Sequence, residues 1–122
     1  DVDTDILVFE LSLAAVSEGR VPVAREISRF PSLRRDIAVV VPESTKYACV
    51  EASLRNALGN VLSELVVFDQ YSGKNLGSGV KSVAIGLILQ DESRTLTDED
   101  ADRCVARALA ALESECQARL RG

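Results

Sequence analysis

Bulky apolar residues occupy every second position at Val83, Ile85, Leu87 and Leu89. That period of two predicts a strand from Gly79 to Gln90 with one buried face. Asp36-Ile37-Ala38-Val39-Val40-Val41 predicts an earlier strand ended by Pro42, and Leu62 through Tyr71 another. Two stretches carry the helical period instead. Val50, Leu54, Ala57 and Leu58 share one helix face, with Ser44 or Thr45 as the cap and Gly59 as the stop. Ala101, Cys104, Val105, Ala108, Leu109 and Leu112 form the apolar stripe of a second helix. Thr97 caps it, and the helix dipole favours Asp98, Glu99 and Asp100 in its first turn. Ser72-Gly73-Lys74-Asn75 reads as a turn, and Gln117 to Arg121 as a short last strand.

The order β-α-β-β-α-β predicts an α+β, ferredoxin-like sandwich, a four-stranded antiparallel sheet with two helices on one face. The first and third strands are then central, the second and fourth lie on the edges. Alternation assigns the faces. Val83, Ile85, Leu87, Leu89, Ile37, Val39, Val41, Val66, Phe68, Ala118 and Leu120 are expected inward. Asp36, Ala38, Val40, Val67, Asp69, Tyr71, Ser82, Ala84, Gly86, Arg119 and Arg121 are expected on the open face. That face has a floor of small residues (Ala38, Ser82, Ala84, Gly86) between a rim of Asp69 and Tyr71 and a rim of Arg119 and Arg121. It suits an unstacked base: a tyrosine ring to stack on, a carboxylate to accept from a base edge, arginines for phosphate or base acceptors. A simply solvated face fits the same pattern, because this fold hosts many functions.

The first residues differ in character. Ile6-Leu7-Val8-Phe9-Glu10-Leu11 reads as a strand, and Arg20 to Phe30, bounded by Pro22 and Pro31, as an extended linker. The expected division is 1–28, the tail of a preceding module plus linker, and 29–122, the folded domain, so the chain reads as a piece of a longer protein. Its 122 residues suffice for a core without metal or disulfide. No apolar run reaches the roughly 20 residues of a membrane helix, and the expected setting is cytoplasmic. Cys49, Cys104 and Cys116 are odd in number, widely spaced and unaccompanied by histidine, which argues against a disulfide framework or zinc site. They read as small apolar residues in or near the core.

Charge complicates the picture. Fourteen Lys/Arg against nineteen Asp/Glu leave −5, whereas a protein gripping nucleic acid through phosphates alone should be basic. The distribution is uneven: Arg20 to Lys46 holds six basic residues against three acids, and Asp91 to Glu115 eight acids against three arginines. RNA binding would be local. Arg34-Arg35-Asp36 fits either a phosphate anchor or a solvated strand start with an internal ion pair. Arg94-Thr95-Leu96-Thr97 reads as a helix cap beside a surface arginine. The glycines at 73, 77 and 79 surround a hairpin rather than a strand-to-helix phosphate loop. No Ser/His/Asp, Cys/His or paired-carboxylate arrangement appears, so catalysis within this chain is not expected.

Five sequence blocks occur in register: Phe30-Pro31-Ser32-Leu33-Arg34-Arg35-Asp36, Val67-Phe68-Asp69-Gln70-Tyr71, Lys81-Ser82, Arg94-Thr95-Leu96-Thr97 and Leu120-Arg121. Together they resemble the ferredoxin-fold anticodon-binding domain that ends the β subunit of bacterial phenylalanine–tRNA ligase. The resemblance runs from Arg29 to Gly122, and Val8-Phe9-Glu10-Leu11 resembles the end of the preceding, catalytically inert synthetase-like module. It implies a non-catalytic module that holds the anticodon loop of phenylalanine tRNA. Within an α2β2 tetramer the α subunit would charge the tRNA with ATP and Mg2+, and no cofactor would sit in this chain. It further implies Asp69 and Tyr71 at the first anticodon base, Ala38 and Ser82 lining the same pocket, and Arg121 reaching from the last strand. Arg34 and Arg35 would be backbone contacts or structural anchors. No membrane or DNA partner is implied. Gln70 departs from the small aliphatic residue usual there and is expected inward near the strand edge. Cys116-Gln117-Ala118 replaces a glycine-containing turn. The competing reading is a regulatory or subunit-interaction module on the same fold, for which Tyr71 and Arg121 would be dispensable. A ribonucleoprotein-type reader is disfavoured, since neither central strand carries an outward aromatic.

Overall fold

A computed structural model describes residues 4–19, 22–23 and 28–121. Its main elements are a short helix α1 (Leu13–Ser17), then β1 (Leu33–Pro42), α2 (Tyr47–Leu58), β2 (Leu62–Tyr71), β3 (Val80–Leu89), α3 (Asp98–Cys116) and β4 (Arg119–Leu120). The sheet order is β2-β3-β1-β4, with every pair antiparallel. The ferredoxin-like expectation, central first and third strands included, holds.

The core lies between the sheet and the two long helices. Ile85, Leu87, Leu89, Leu54 and Leu112 are fully enclosed, and Ile37, Val39 and Val41 join them from β1. The α3 stripe packs as its period requires, with Ala101, Cys104, Ala108 and Leu112 buried and Val105 and Leu109 at the margin. Thr97 closes a full capping box: its hydroxyl accepts from the Asp100 N–H, and the Asp100 carboxylate accepts from the Thr97 N–H.

Several expectations change. Ile6–Leu11 pairs with no strand among the described residues and its apolar side chains are exposed. A strand exists only through its ladder, and none forms there. The linker reading of Arg20–Phe30 falls largely on residues 20–21 and 24–27, outside the described residues. Neither Ser44 nor Thr45 caps α2. The Thr45 N–H turns back to the Pro42 carbonyl, so the helix starts after Lys46 without a side-chain cap. Gly59, at φ 60°, ends it as expected. The turn at 72–75 becomes a 3-10 turn over Lys74–Leu76. The last strand begins at Arg119, because Gln117 takes a left-handed conformation (φ 53°) to leave α3. Leu120 faces the helix side, opposite Val39, yet stays 63% exposed at the sheet edge.

The largest correction concerns β2. Val66 pairs with outward-facing Gly86, and Val67 with core Ile85, so Val66 faces out and Val67 in. A register shift between Val67 and Asp69 then inserts Phe68 as an extra residue. Phe68, expected inward, lies on the open face, 50% exposed, with the Arg34 guanidinium 5.5 Å from its ring centroid. The bulge absorbs the slip. Beyond it Asp69 pairs with Ala84 and Tyr71 with Ser82, outward as expected.

Candidate RNA-binding face

Three rows cross the open face. Tyr71, Ser82 and Val40 form one; Asp69, Ala84 and Ala38 the next; Val66, Gly86 and Asp36 the third. The antiparallel register therefore brings four of the sequence-predicted residues, Ala38, Asp69, Tyr71 and Ser82, onto two adjacent rows. Arg121 completes the group. Its backbone N–H donates to the Ala38 carbonyl at 2.9 Å, which carries its side chain back across the sheet. There Nη1 donates to Ser82 Oγ at 3.3 Å, and the guanidinium carbon lies 5.8 Å from the Tyr71 ring centroid. Ser82 is buried although it faces the open side, while Tyr71 keeps 39% of its surface exposed. A cation held near one aromatic ring leaves an amphipathic platform, stacking surface beside hydrogen-bond donors.

The small floor is what keeps this platform accessible. Ala38 and Ala84 add no side-chain bulk beyond a methyl group, and Asp69 stands exposed beside them. A shallow groove of about 400 Å³ continues from Arg121 past Arg119, Val40, Asn75 and Leu76. A cavity of about 210 Å³ lies on the helix side, between α2 and the β2 edge, lined among others by Val67, Gln70 and Lys81. Gln70 is thus inward, as expected, and this cavity shares no residue with the open-face pocket.

The two adjacent arginines part company. Arg34 faces out: Nε donates to Asp36 Oδ1 at 2.7 Å, and the guanidinium covers Phe68. Gly86 makes room for this pair, since a Cβ there would meet Asp36 Oδ1 at 3.1 Å and Arg34 Nη2 at 3.2 Å. Arg35 points to the helix side, where it bonds Asp98 at 2.5 Å and Asp102 at 3.4 Å at the start of α3. The Asp98 hydrogen bond, foremost, holds its pKa above the ordinary arginine value. It stands apart from Tyr71 and Arg121.

Arg94 also serves α3. It bonds Asp100 at 2.5 Å, and Arg103 adds a second cation to the same carboxylate. The Arg94 bond and the Thr97 N–H hold the Asp100 carboxyl well below the usual range. Of the cysteines, Cys104 is in the core, whereas Cys49 is exposed with its Sγ 3.3 Å from that of buried Cys116. Burial, reinforced by Cys49, pushes the Cys116 thiol up to about 12. Among the described residues no cluster of three or more acids or cysteines is placed to hold a metal ion, and no helix is long and apolar enough to cross a membrane.

Comparison with known proteins identifies the domain. Residues 28–121 match the sequence profile of the ferredoxin-fold anticodon binding domain. The chain belongs to that family. The match covers nearly the stretch over which the five sequence blocks ran, and the resemblance read from them is upheld. Over all 122 residues the chain is 48% identical to the phenylalanine–tRNA ligase beta subunit of Xanthomonas campestris pv. campestris (strain 8004). Over 121 residues it is 49% identical to the subunit of the same name from Xanthomonas axonopodis pv. citri (strain 306), and 40% to that of Xylella fastidiosa (strain 9a5c). In each case it spans about 15% of the relative's length. The open sheet face lies opposite the two long helices. Phe68, Asn75 and Leu76 are the residues on that face that alternation missed: the first sits at a bulge, the others in a turn without periodicity.

Proposed function

We propose that this domain binds the anticodon loop of phenylalanine tRNA as part of a phenylalanine–tRNA ligase β subunit. Residues 1–28 would be the tail of the preceding synthetase-like module and its linker. The ligase would be an α2β2 tetramer in the cytoplasm, whose α subunit carries out ATP- and Mg2+-dependent aminoacylation. The observation that carries the reading is the convergence of Tyr71, Asp69, Ser82 and Arg121 around the Ala38–Ala84 floor.

The first anticodon base stacks on Tyr71 over this floor. Asp69 accepts hydrogen bonds from the base edge, and Arg121, oriented by Ser82, meets a base acceptor or the adjoining phosphate. Small side chains at Ala38 and Ala84 let the base approach the sheet. The groove toward Arg119 and Asn75 takes the backbone on one side, and Arg34 reaches it on the other. Arg35 serves as the structural anchor between β1 and α3. With a net charge of −5 the domain contributes base readout, and the remaining tetramer supplies most of the electrostatic attraction.

Aminoacylation kinetics of the full-length ligase test this reading. Tyr71→Ala is expected to raise KM for tRNA with kcat nearly unchanged, since a stacked base contributes about 1–3 kcal/mol. An unchanged KM would refute the assignment and favour a regulatory or subunit-interaction role.

A further inference from the structure

Three glycines flank the β2–β3 hairpin, and they are glycines for different reasons. Gly77 and Gly79 have φ of 93° and 76°, and a Cβ on either would have nothing within 4 Å. They satisfy the backbone. Gly73 has φ −158° and ψ 166°, extended values open to any residue. What a Cβ on Gly73 would meet is Tyr71: it would overlap the hydroxyl, Cζ and Cε1 of the ring. The ring folds back over the Gly73 backbone, two residues along the chain, and half-buries it.

We propose that Gly73 is a positioning residue of the anticodon pocket, its missing side chain being the seat that fixes the Tyr71 stacking surface. The proposal rests on the reading above, in which Tyr71 stacks on a base. Two features make the ring yield rather than the loop. The loop backbone is tied down: the Leu76 N–H donates to the Gly73 carbonyl at 3.0 Å, and Ser72 Oγ donates to Glu43 Oε2 at 3.2 Å. The ring, in contrast, is the end of a rotatable side chain at a strand terminus. Arg121, whose guanidinium carbon lies 5.8 Å from the ring centroid, is itself held by Ser82 and by the Ala38 carbonyl. A methyl group at position 73 therefore turns the ring off its seat, either out to solvent or across the Ala38–Ala84 floor. Both remove the platform from the place where Asp69 and Arg121 expect the base.

Because the backbone at Gly73 is already extended, Gly73→Ala carries no conformational strain and lowers the entropy of the unfolded chain. Stability should hold or rise slightly while binding weakens, a combination that a merely structural glycine would not give. The test uses the full-length ligase with Gly73→Ala, Tyr71→Ala, the double variant and Gly77→Ala. Gly73→Ala is expected to raise KM for tRNA about five- to tenfold, within the range for losing one stacked base. Its kcat and melting temperature should stay at or above wild type. In the Tyr71→Ala background the same change should add nothing, because Gly73 acts through the ring. Gly77→Ala should do the reverse, lowering the melting temperature and leaving KM alone. A wild-type KM for Gly73→Ala beside a raised KM for Tyr71→Ala overturns the proposal and spares the pocket. Additive losses in the double variant overturn it too. An unchanged KM for Tyr71→Ala removes the pocket reading and the proposal together.

Discussion

The two faces of β3 differ in a single property of their side chains. One presents Val83, Ile85, Leu87 and Leu89, which disappear beneath α2 and α3; the other presents Ser82, Ala84 and Gly86 in its middle, between Val80 and Ile88 at the strand ends. Bulk on the first face holds the helices by burying apolar area. On the second, smallness leaves room above the sheet: Ser82 receives Arg121, Gly86 accommodates the Arg34–Asp36 pair, and Ala84 stays partly open. On the function proposed, stability and recognition fall on alternate residues of one strand, and a substitution on one face should leave the other property largely intact.

The sharpest attempt to break this separation is Leu87→Ala, which opens a cavity in the core. Stability is expected to fall by about 2–5 kcal/mol in denaturant unfolding, while the protein that remains folded keeps its tRNA affinity. On the opposite face, Ala84→Leu puts bulk where the pocket needs none. Affinity for tRNA should drop about tenfold, comparable with losing one stacked base, and the melting temperature should barely move.

A smaller effect, confined to stability, concerns Asp100. Its folded pKa lies below the unfolded value of about 3.9, so its contribution is complete above that pH and disappears as pH falls through the folded pKa. Asp100→Asn should lower stability at neutral pH and flatten the acid limb of a stability–pH curve, with no change in tRNA affinity. The smallest effects should separate neighbours. Arg35→Ala removes the ties to Asp98 and Asp102 and should lower the melting temperature slightly. Arg34→Ala should instead weaken tRNA binding modestly. Exchange of these two outcomes would show that the arginines work on the faces opposite to those assigned.

Much of this architecture was legible because local and global signals agree. The alternation in β3, the stripe of α3 and the Thr97 cap each report on one element with a strong period. Asp69 and Tyr71 were placed correctly because the bulge returns β2 to its original phase after Phe68. The bulge itself leaves no mark in a string of apolar residues, so Val66, Val67 and Phe68 were assigned to the wrong sides. The ion-pair partners of Arg35, more than sixty residues away, and the contact of Cys49 with Cys116 depend on tertiary packing. Gly73 looked like ordinary turn chemistry. Only the position of the Tyr71 ring, which a Cβ there would overlap, points to the role proposed for it.

The central claim is that Tyr71 reads the first anticodon base. The most direct measurement is a double-mutant cycle on binding by the full-length ligase, pairing wild type and Tyr71→Ala with tRNA carrying a GAA anticodon and tRNA with the first base removed. The account predicts that removing the base weakens binding to wild type about tenfold and leaves Tyr71→Ala nearly indifferent. Equal losses in both proteins would mean that the base is read elsewhere, and would contradict it.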